Sequence, residues 1–183
     1  MRDAWPVMLL VLISACASVP APGPTVKVYN VRQGLARVEA DGEWKIYAAG
    51  DNFLHQVNGN CVAAGKTTPC MWFGVAFEFS ADADSAVLTC KATFSEPTDV
   101  VTPREVVAAK TSQNTLTVEL RGRTGKVFWQ GYNIADGTTK PNTTSVICEH
   151  GGKEVLRYAF TITEQPNPSV EPAARKSGAR GSP

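Results

Sequence analysis

The chain of 183 residues has no apolar run long enough to cross a bilayer as a helix. Its hydrophobic N-terminal run, Val7–Ile13, has seven residues, and about 20 are needed. Charge of one sign is also lacking, because 18 basic residues face 17 acidic ones and the net charge is +1. No basic stripe interleaved with aromatic residues occurs, so we predict no nucleic-acid partner.

The common catalytic and metal-binding motifs are missing as well. There is no Gly-x-Ser-x-Gly elbow, no glycine-rich phosphate loop, no His-Glu-x-x-His pair and no Cys-x-x-Cys spacing. The chain has two histidines, His55 and His150, and a zinc site using Cys148 and His150 would need more ligands close by. We therefore predict no catalytic residue, metal or cofactor, with a hydrolase built on either histidine and a carboxylate as the open alternative.

The N-terminus has the organisation of an export signal: a basic residue, Arg2, precedes the apolar run and the small residues Ser14 and Ala15. The sequence Ile13-Ser14-Ala15-Cys16 resembles the lipobox of bacterial lipoproteins. That resemblance implies a signal peptide over 1–15, cleavage before Cys16, and acylation of its thiol, as by palmitate, and of the new amine. Two or more acyl chains give durable membrane anchoring.

The residues after the cysteine bear on the location. Lipoproteins retained in the inner membrane often have Asp at the position of Ala17, so the resemblance implies the outer membrane, facing the periplasm. Residues 16–24, with three prolines, are expected to form the anchor and tether, and the Pro-, Gly- and Arg-rich residues 165–183 a disordered tail. Residues 25–164 are left as one domain.

The other four cysteines are an even set in an oxidising compartment, which is typical of two disulfides. Three pairings are open, and we favour Cys61–Cys70, which closes a short loop with Gly and Pro, together with Cys90–Cys148. Cys90 alternates with Leu88 and Ala92, so we expect it to face the core and bond across to the opposing sheet.

Alternating polar and apolar residues dominate the domain and predict short β-strands. Asp41-Gly42 predicts a tight hairpin turn, and residues 71–79 predict a central strand. One helix is expected over 102–110, where Thr102-Pro103-Arg104-Glu105 has the form of a capping box with proline at the first helical position.

Nine or ten strands joined by turns predict an all-β, antiparallel two-sheet sandwich with one short helix. We call it immunoglobulin-like in architecture alone, and a lipocalin-like barrel stays open. Residues 25–70 are either extra strands of the sandwich or a small subdomain.

Five aromatic residues are candidates for a binding surface: Trp44, Trp72, Phe128, Trp129 and Tyr132. In the predicted strand over 127–132, Phe128, Gln130 and Tyr132 share one face while Val127 and Trp129 share the other, so one aromatic face is available for protein or glycan contact unless the helix or the N-terminal hairpin covers it. We expect a non-enzymatic envelope lipoprotein that binds a partner protein or assists assembly of an envelope complex. The alternative is an inhibitor or ligand-binding module acting through the disulfide-closed loop, with Lys66 and Thr67 as contacts.

Overall fold

A computed structural model describes residues 25–165, which form ten β-strands: β1 Val26–Val38, β2 Trp44–Ala49, β3 Asn52–Leu54, β4 Gly59–Ala63, β5 Lys66–Ala81, β6 Ser85–Val101, β7 Val106–Arg121, β8 Thr124–Asn133, β9 Asn142–His150 and β10 Lys153–Thr163. Within this part of the chain there is no helix, and so none that could cross a membrane. The predicted signal peptide, the lipidation of Cys16, the tether and residues 166–183 of the tail lie outside the described residues.

The strands form two separate five-stranded sheets, which confirms the predicted sandwich. In sheet 1 the order is β2-β1-β5-β8, and β4 pairs with the first residues of β5. In sheet 2 the order is β3-β10-β9-β6-β7, with β3 parallel to β10 and every other pair antiparallel. Because β1 and β4 are hydrogen-bonded to β5, the segment 25–70 is part of the sandwich.

The core lies between the sheets, where the predicted alternation places every second side chain. Phe77 of β5, Leu88 of β6 and Phe160 of β10 are each almost fully buried. Burying a side chain of this size contributes about 1.5–3 kcal/mol. Residues 71–79 belong to β5, which pairs with β1 and β8 on its two sides, so the predicted central strand is confirmed.

Both predicted disulfides are present. Cys61–Cys70 closes the β4–β5 hairpin, and Cys90–Cys148 joins two residues that lie directly opposite each other on β6 and β9, with Cα atoms 3.9 Å apart. The expectation that Cys90 bonds across to the opposing sheet is wrong, because both strands belong to sheet 2. The alternation correctly indicated that Cys90 faces the core. Residues directly opposite each other on neighbouring antiparallel strands point to the same face, so a core-facing cysteine can also bond within its own sheet. In immunoglobulin domains the disulfide joins the two sheets, so this bond does not support an immunoglobulin-like architecture, which stays a prediction.

The predicted helix over 102–110 is also wrong: residues 102–105 form the turn of a hairpin and β7 begins at Val106. The Thr102 hydroxyl accepts hydrogen bonds from the backbone N–H groups of Arg104 and Glu105, as a helix cap would. The same side-chain bond closes a turn equally well. The β-branched residues Val106 and Val107 then favour a strand, and Val106 pairs with Val101.

The far part of this hairpin, residues 94–112, leaves the regular sandwich, and we call it the arch. Its strand pairing shifts register three times beyond Thr93. At its tip, the carbonyls of Thr102 and Pro103 accept hydrogen bonds from the N–H groups of Ala64 and Gly65, the turn residues between β4 and β5. Ala64 has a φ of 48°, which is unfavourable for a residue with a side chain. The arch therefore holds the disulfide-closed hairpin at its tip.

The Asp41-Gly42 prediction of a hairpin is confirmed, although the loop has three residues instead of two. Gly42 donates to the Glu39 carbonyl, and Glu39 closes the loop by donating to the Glu43 carbonyl. Gly42 has a φ of 82°, so this turn requires the left-handed conformation that glycine adopts freely.

Candidate binding sites

Four aromatic side chains form a continuous row on the outer face of sheet 1, and we call them the aromatic row. In spatial order they are Phe128, Trp44, Trp72 and Tyr132, with ring centroids 6.0, 4.9 and 5.3 Å apart along the row. Each ring is half-buried, while Gln130, which lies between Phe128 and Tyr132 on the same face of β8, is exposed.

Strand alternation explains why these rings point away from the core. Trp129 and Val127 face inward and pack on the core, so Phe128 and Tyr132 face outward. Trp44 then reaches them from the N-terminal β1–β2 hairpin. The predicted exposed aromatic face therefore exists, but it is partly covered by that hairpin.

Two local features fix the rings in place. The Phe128 ring lies against Gly74 of β5, where a Cβ atom would come within 2.8 Å of two ring carbons, so the close approach requires glycine. The side chain of Asn58 accepts a hydrogen bond from the Trp72 N–H at 2.6 Å and donates to the carbonyls of Trp72 and Ala36. Asn58 thus replaces strand pairing beside Trp72 and anchors that residue.

Tyr132 connects the aromatic row to the arch. Its ring contacts Trp72, and its hydroxyl donates a hydrogen bond to the Val101 carbonyl at 3.2 Å. Burial raises the pKa of the Tyr132 phenol above 10, its ordinary value. The hydroxyl therefore remains a donor throughout the physiological pH range.

Lys66 and Thr67, the contacts expected for an inhibitor, lie elsewhere. Both are exposed at the start of β5, next to the hairpin tip that is hydrogen-bonded to the arch. The structure therefore places the predicted site residues on two surfaces, with Phe128, Gln130 and Tyr132 together on one and Lys66 and Thr67 on the other.

A cleft of about 500 Å³ opens between the two sheets beneath the arch. Phe73, Phe94 and Ile162 give it an apolar wall, and Asp99, Asn133 and Asp136 are among its polar lining residues. An apolar cavity of about 150 Å³ adjoins it, sharing Phe73 and Phe94 and lined further in by Trp129 and Tyr158. Mixed lining of this kind is typical of small-ligand sites.

Two acceptor atoms beside this cleft have no hydrogen-bond partner within residues 25–165. One is the buried Oδ1 of Asn133, and the other is Oε2 of Glu164, whose side chain is 8% exposed. Oε1 of Glu164 accepts from the backbone N–H of Asp136 at 3.0 Å, so the glutamate lies directly behind a lining residue. A buried acceptor without a donor costs about 1–3 kcal/mol.

Each of the two histidine rings lies within hydrogen-bond distance of a backbone carbonyl. His55 Nε2 lies 3.2 Å from the Asn133 carbonyl, and His150 Nδ1 lies 2.9 Å from the Val87 carbonyl. Across the described part of the chain, no group of three His, Cys, Asp or Glu side chains could hold a metal ion. Asp84 pairs with Arg123, and Asp82 accepts a hydrogen bond from the Thr25 N–H.

Sequence reasoning missed the cleft. Asn133, Asp136 and Glu164 lie at or beyond the ends of strands, and they come together because β8 and β10 end near each other. No local pattern indicated the cleft. Gly74, a glycine within a strand, marks instead the close approach of Phe128 on the outer face of sheet 1.

In comparisons with known proteins, no protein-family model matches this chain and no curated protein matches it either.

Proposed function

We propose that this chain is a lipid-anchored protein of the bacterial outer membrane that binds a partner protein in the periplasm, without catalysis, through the aromatic row. The observation that carries the proposal is the row itself: Phe128, Trp44, Trp72 and Tyr132 are in contact yet half-exposed, beside the exposed Gln130. The anchor rests on the lipobox resemblance of Ile13–Cys16.

The composition and rigidity of the row favour a protein contact. Tryptophan, tyrosine and phenylalanine are enriched at the centres of protein interfaces. Here the rings are held by one another, by Gly74 and by Asn58, so little side-chain freedom would be lost on binding. Gln130 adds an amide that both donates and accepts at the edge of the row.

Site-specific photo-crosslinking in cells tests this function. A benzoylphenylalanine residue at position 130 should give one discrete covalent adduct, while the same residue at Thr89, an exposed position on sheet 2, should not. Equal adducts from both positions, or none from position 130, would count against the aromatic row.

A second candidate, inhibition of a periplasmic hydrolase through Lys66 and Thr67, is favoured by one observation. The tip beside these residues is tied to the arch by two backbone hydrogen bonds, from Ala64 and Gly65, so the loop is held in one conformation. If Lys66 and Thr67 form the contact, replacing both by alanine should abolish binding of the partner protein. If the aromatic row forms the contact, the same variant should bind the partner normally.

A further inference from the structure

We propose that the cleft between the sheets binds a small organic cation, an aromatic or aliphatic body with a protonated amine. The cleft shares the lining residues Gln130 and Tyr132 with the surface of the aromatic row, but this proposal does not depend on the partner contact proposed above. Its volume of about 500 Å³ falls within the roughly 300–1,000 Å³ typical of small-ligand sites.

The apolar wall accounts for the body of the ligand. Phe73 and Phe94 line both the cleft and the adjoining cavity, so an apolar group can contact them from either space. Phe73 is held by Phe160, with ring centroids 4.8 Å apart, which makes this wall preformed. Filling the space would bury apolar surface at about 25 cal/mol per Å².

The polar lining accounts for the charge of the ligand. Asp99 and Asp136 contribute two carboxylates, and no lysine, arginine or histidine is among the residues that line the cleft. Lys110 pairs with Asp99 from outside the cleft, with Nζ and Oδ2 4.0 Å apart, so Asp99 is partly compensated. Asp136 uses Oδ1 to accept from the Thr138 N–H and, within residues 25–165, forms no salt bridge. We therefore assign Asp136 as the principal anchor of the cation.

Two buried acceptor atoms near Asp136 make this end of the cleft more favourable for a cation. The Oδ1 atom of Asn133 is buried in a cleft-lining residue without a donor, and Glu164, just behind Asp136, has an unpartnered Oε2 atom. A primary ammonium group carries three N–H donors and no acceptor. It therefore suits the Asp136 carboxylate, which accepts one hydrogen bond from the protein, at Oδ1.

The arch supplies the remaining wall. Thr98, Val100 and Val101 line the cleft, and the Tyr132 hydroxyl ties Val101 to β8. The hydrogen bonds at the arch tip hold the same segment from its far end. The cleft is thus bounded by a segment fixed at two points.

The test uses three probes of matched shape: phenethylamine, 2-phenylethanol and phenylacetate. Each is titrated by calorimetry into the purified full-length protein in a non-ionic detergent, with detergent alone as the blank. The amine should bind at least about tenfold more tightly than the alcohol, and the carboxylate should bind more weakly than both. NMR shifts induced by the amine should concentrate on the amides of Gly131 and Ile134, which line the cleft.

Two matched variants test whether the Asp136 carboxylate binds the ammonium group. Asp136→Asn should weaken binding of the amine at least about fivefold and leave binding of the alcohol unchanged. Asp84→Asn removes an exposed carboxylate that pairs with Arg123 and should change neither. Equal affinities for the amine and the alcohol, no binding of the amine at millimolar concentration, or an Asp136→Asn variant that binds the amine normally would each overturn the proposal.

Discussion

The hydroxyl of Tyr132 donates a hydrogen bond to the backbone carbonyl of Val101, with 3.2 Å between the oxygens. This one contact joins the outer face of sheet 1 to the arch, because the Tyr132 ring belongs to the aromatic row and Val101 lies near the arch tip. Tyr132 and the neighbouring Gln130 also line the cleft, so the surface of the aromatic row and the cleft share these two residues.

Tyr132→Phe keeps the ring and removes the hydrogen bond. We expect a stability loss of about 1 kcal/mol, the usual net value of one such bond. Hydrogen exchange should accelerate at the amides of Ala64 and Gly65, which donate to the arch. Tyr29→Phe, at an exposed tyrosine, is the control and should leave both unchanged. Unaltered exchange in Tyr132→Phe would mean that the arch holds its position without this bond.

Asn58→Ala removes the side chain that bonds the backbone of Trp72. The Trp72 N–H and the Ala36 carbonyl lose their partners, so we expect a cost of about 1–3 kcal/mol in chemical denaturation. Tryptophan fluorescence should change as well, because Trp72 contacts Trp44. Asn60→Ala, two residues along the chain at an exposed position, should show neither effect.

The two disulfides should differ in their contribution to stability. Cys90 and Cys148 are separated by 58 residues and Cys61 and Cys70 by nine, so the first bond restricts the unfolded chain more. All four cysteines are almost fully buried, which makes the alanine variants comparable. Removing Cys90–Cys148 should cost about 2–5 kcal/mol, and the Cys61→Ala/Cys70→Ala variant should melt at a higher temperature. Equal melting temperatures would show that local packing outweighs loop length.

Stability should fall at high pH because of Tyr158. Burial raises its pKa in the folded protein, whereas in the unfolded chain it ionises near 10. Above about pH 10 the unfolded state has lost a proton that the folded state retains, so the free energy of unfolding decreases as the pH rises. The limit for one group is about 1.4 kcal/mol per pH unit. Tyr158→Phe should make the free energy of unfolding decrease less steeply over the range from about pH 9.5 to about 11.5. An identical slope in the variant would mean that other groups cause the decrease.

The proposed lipid anchor can be tested directly. Cys16→Ser should release the protein from the membrane fraction or block its processing, because it removes the thiol that we propose accepts the lipid. Metabolic labelling with an alkynyl fatty acid should mark the wild type alone. Label retained by the variant would place the lipid on another residue.

Local patterns were enough to predict much of the fold. The alternation around Leu88 and Phe160 indicated buried strand faces correctly, and the cysteine spacing indicated both disulfides. Long-range relationships were not predictable. The hydroxyl of Thr102 makes the same bond in a helix cap and in a hairpin turn, so only pairing with β6 decides between them. A buried face for Cys90 likewise did not reveal whether its partner lay beside it or across the core.

The candidate site was predictable in part for the same reason. Strand periodicity placed Phe128, Gln130 and Tyr132 on one face, since neighbours two apart share a face in any strand. The partial cover by Trp44 depends on how the N-terminal hairpin lies over sheet 1, which periodicity does not encode. The cleft depends on where β8, β10 and the arch end relative to one another, and no residue in it has a local pattern that reveals this.

The two disulfides also bear on the order of biosynthesis. Each joins cysteines that follow one another within residues 25–165, Cys61 with Cys70 and Cys90 with Cys148, so the two loops neither overlap nor enclose each other. A chain that enters an oxidising compartment N-terminus first would present each pair in turn. If an external disulfide oxidant takes the two electrons and two protons of each pair of thiols as its second cysteine arrives, the native pairing forms without an isomerase to rearrange mismatched bonds.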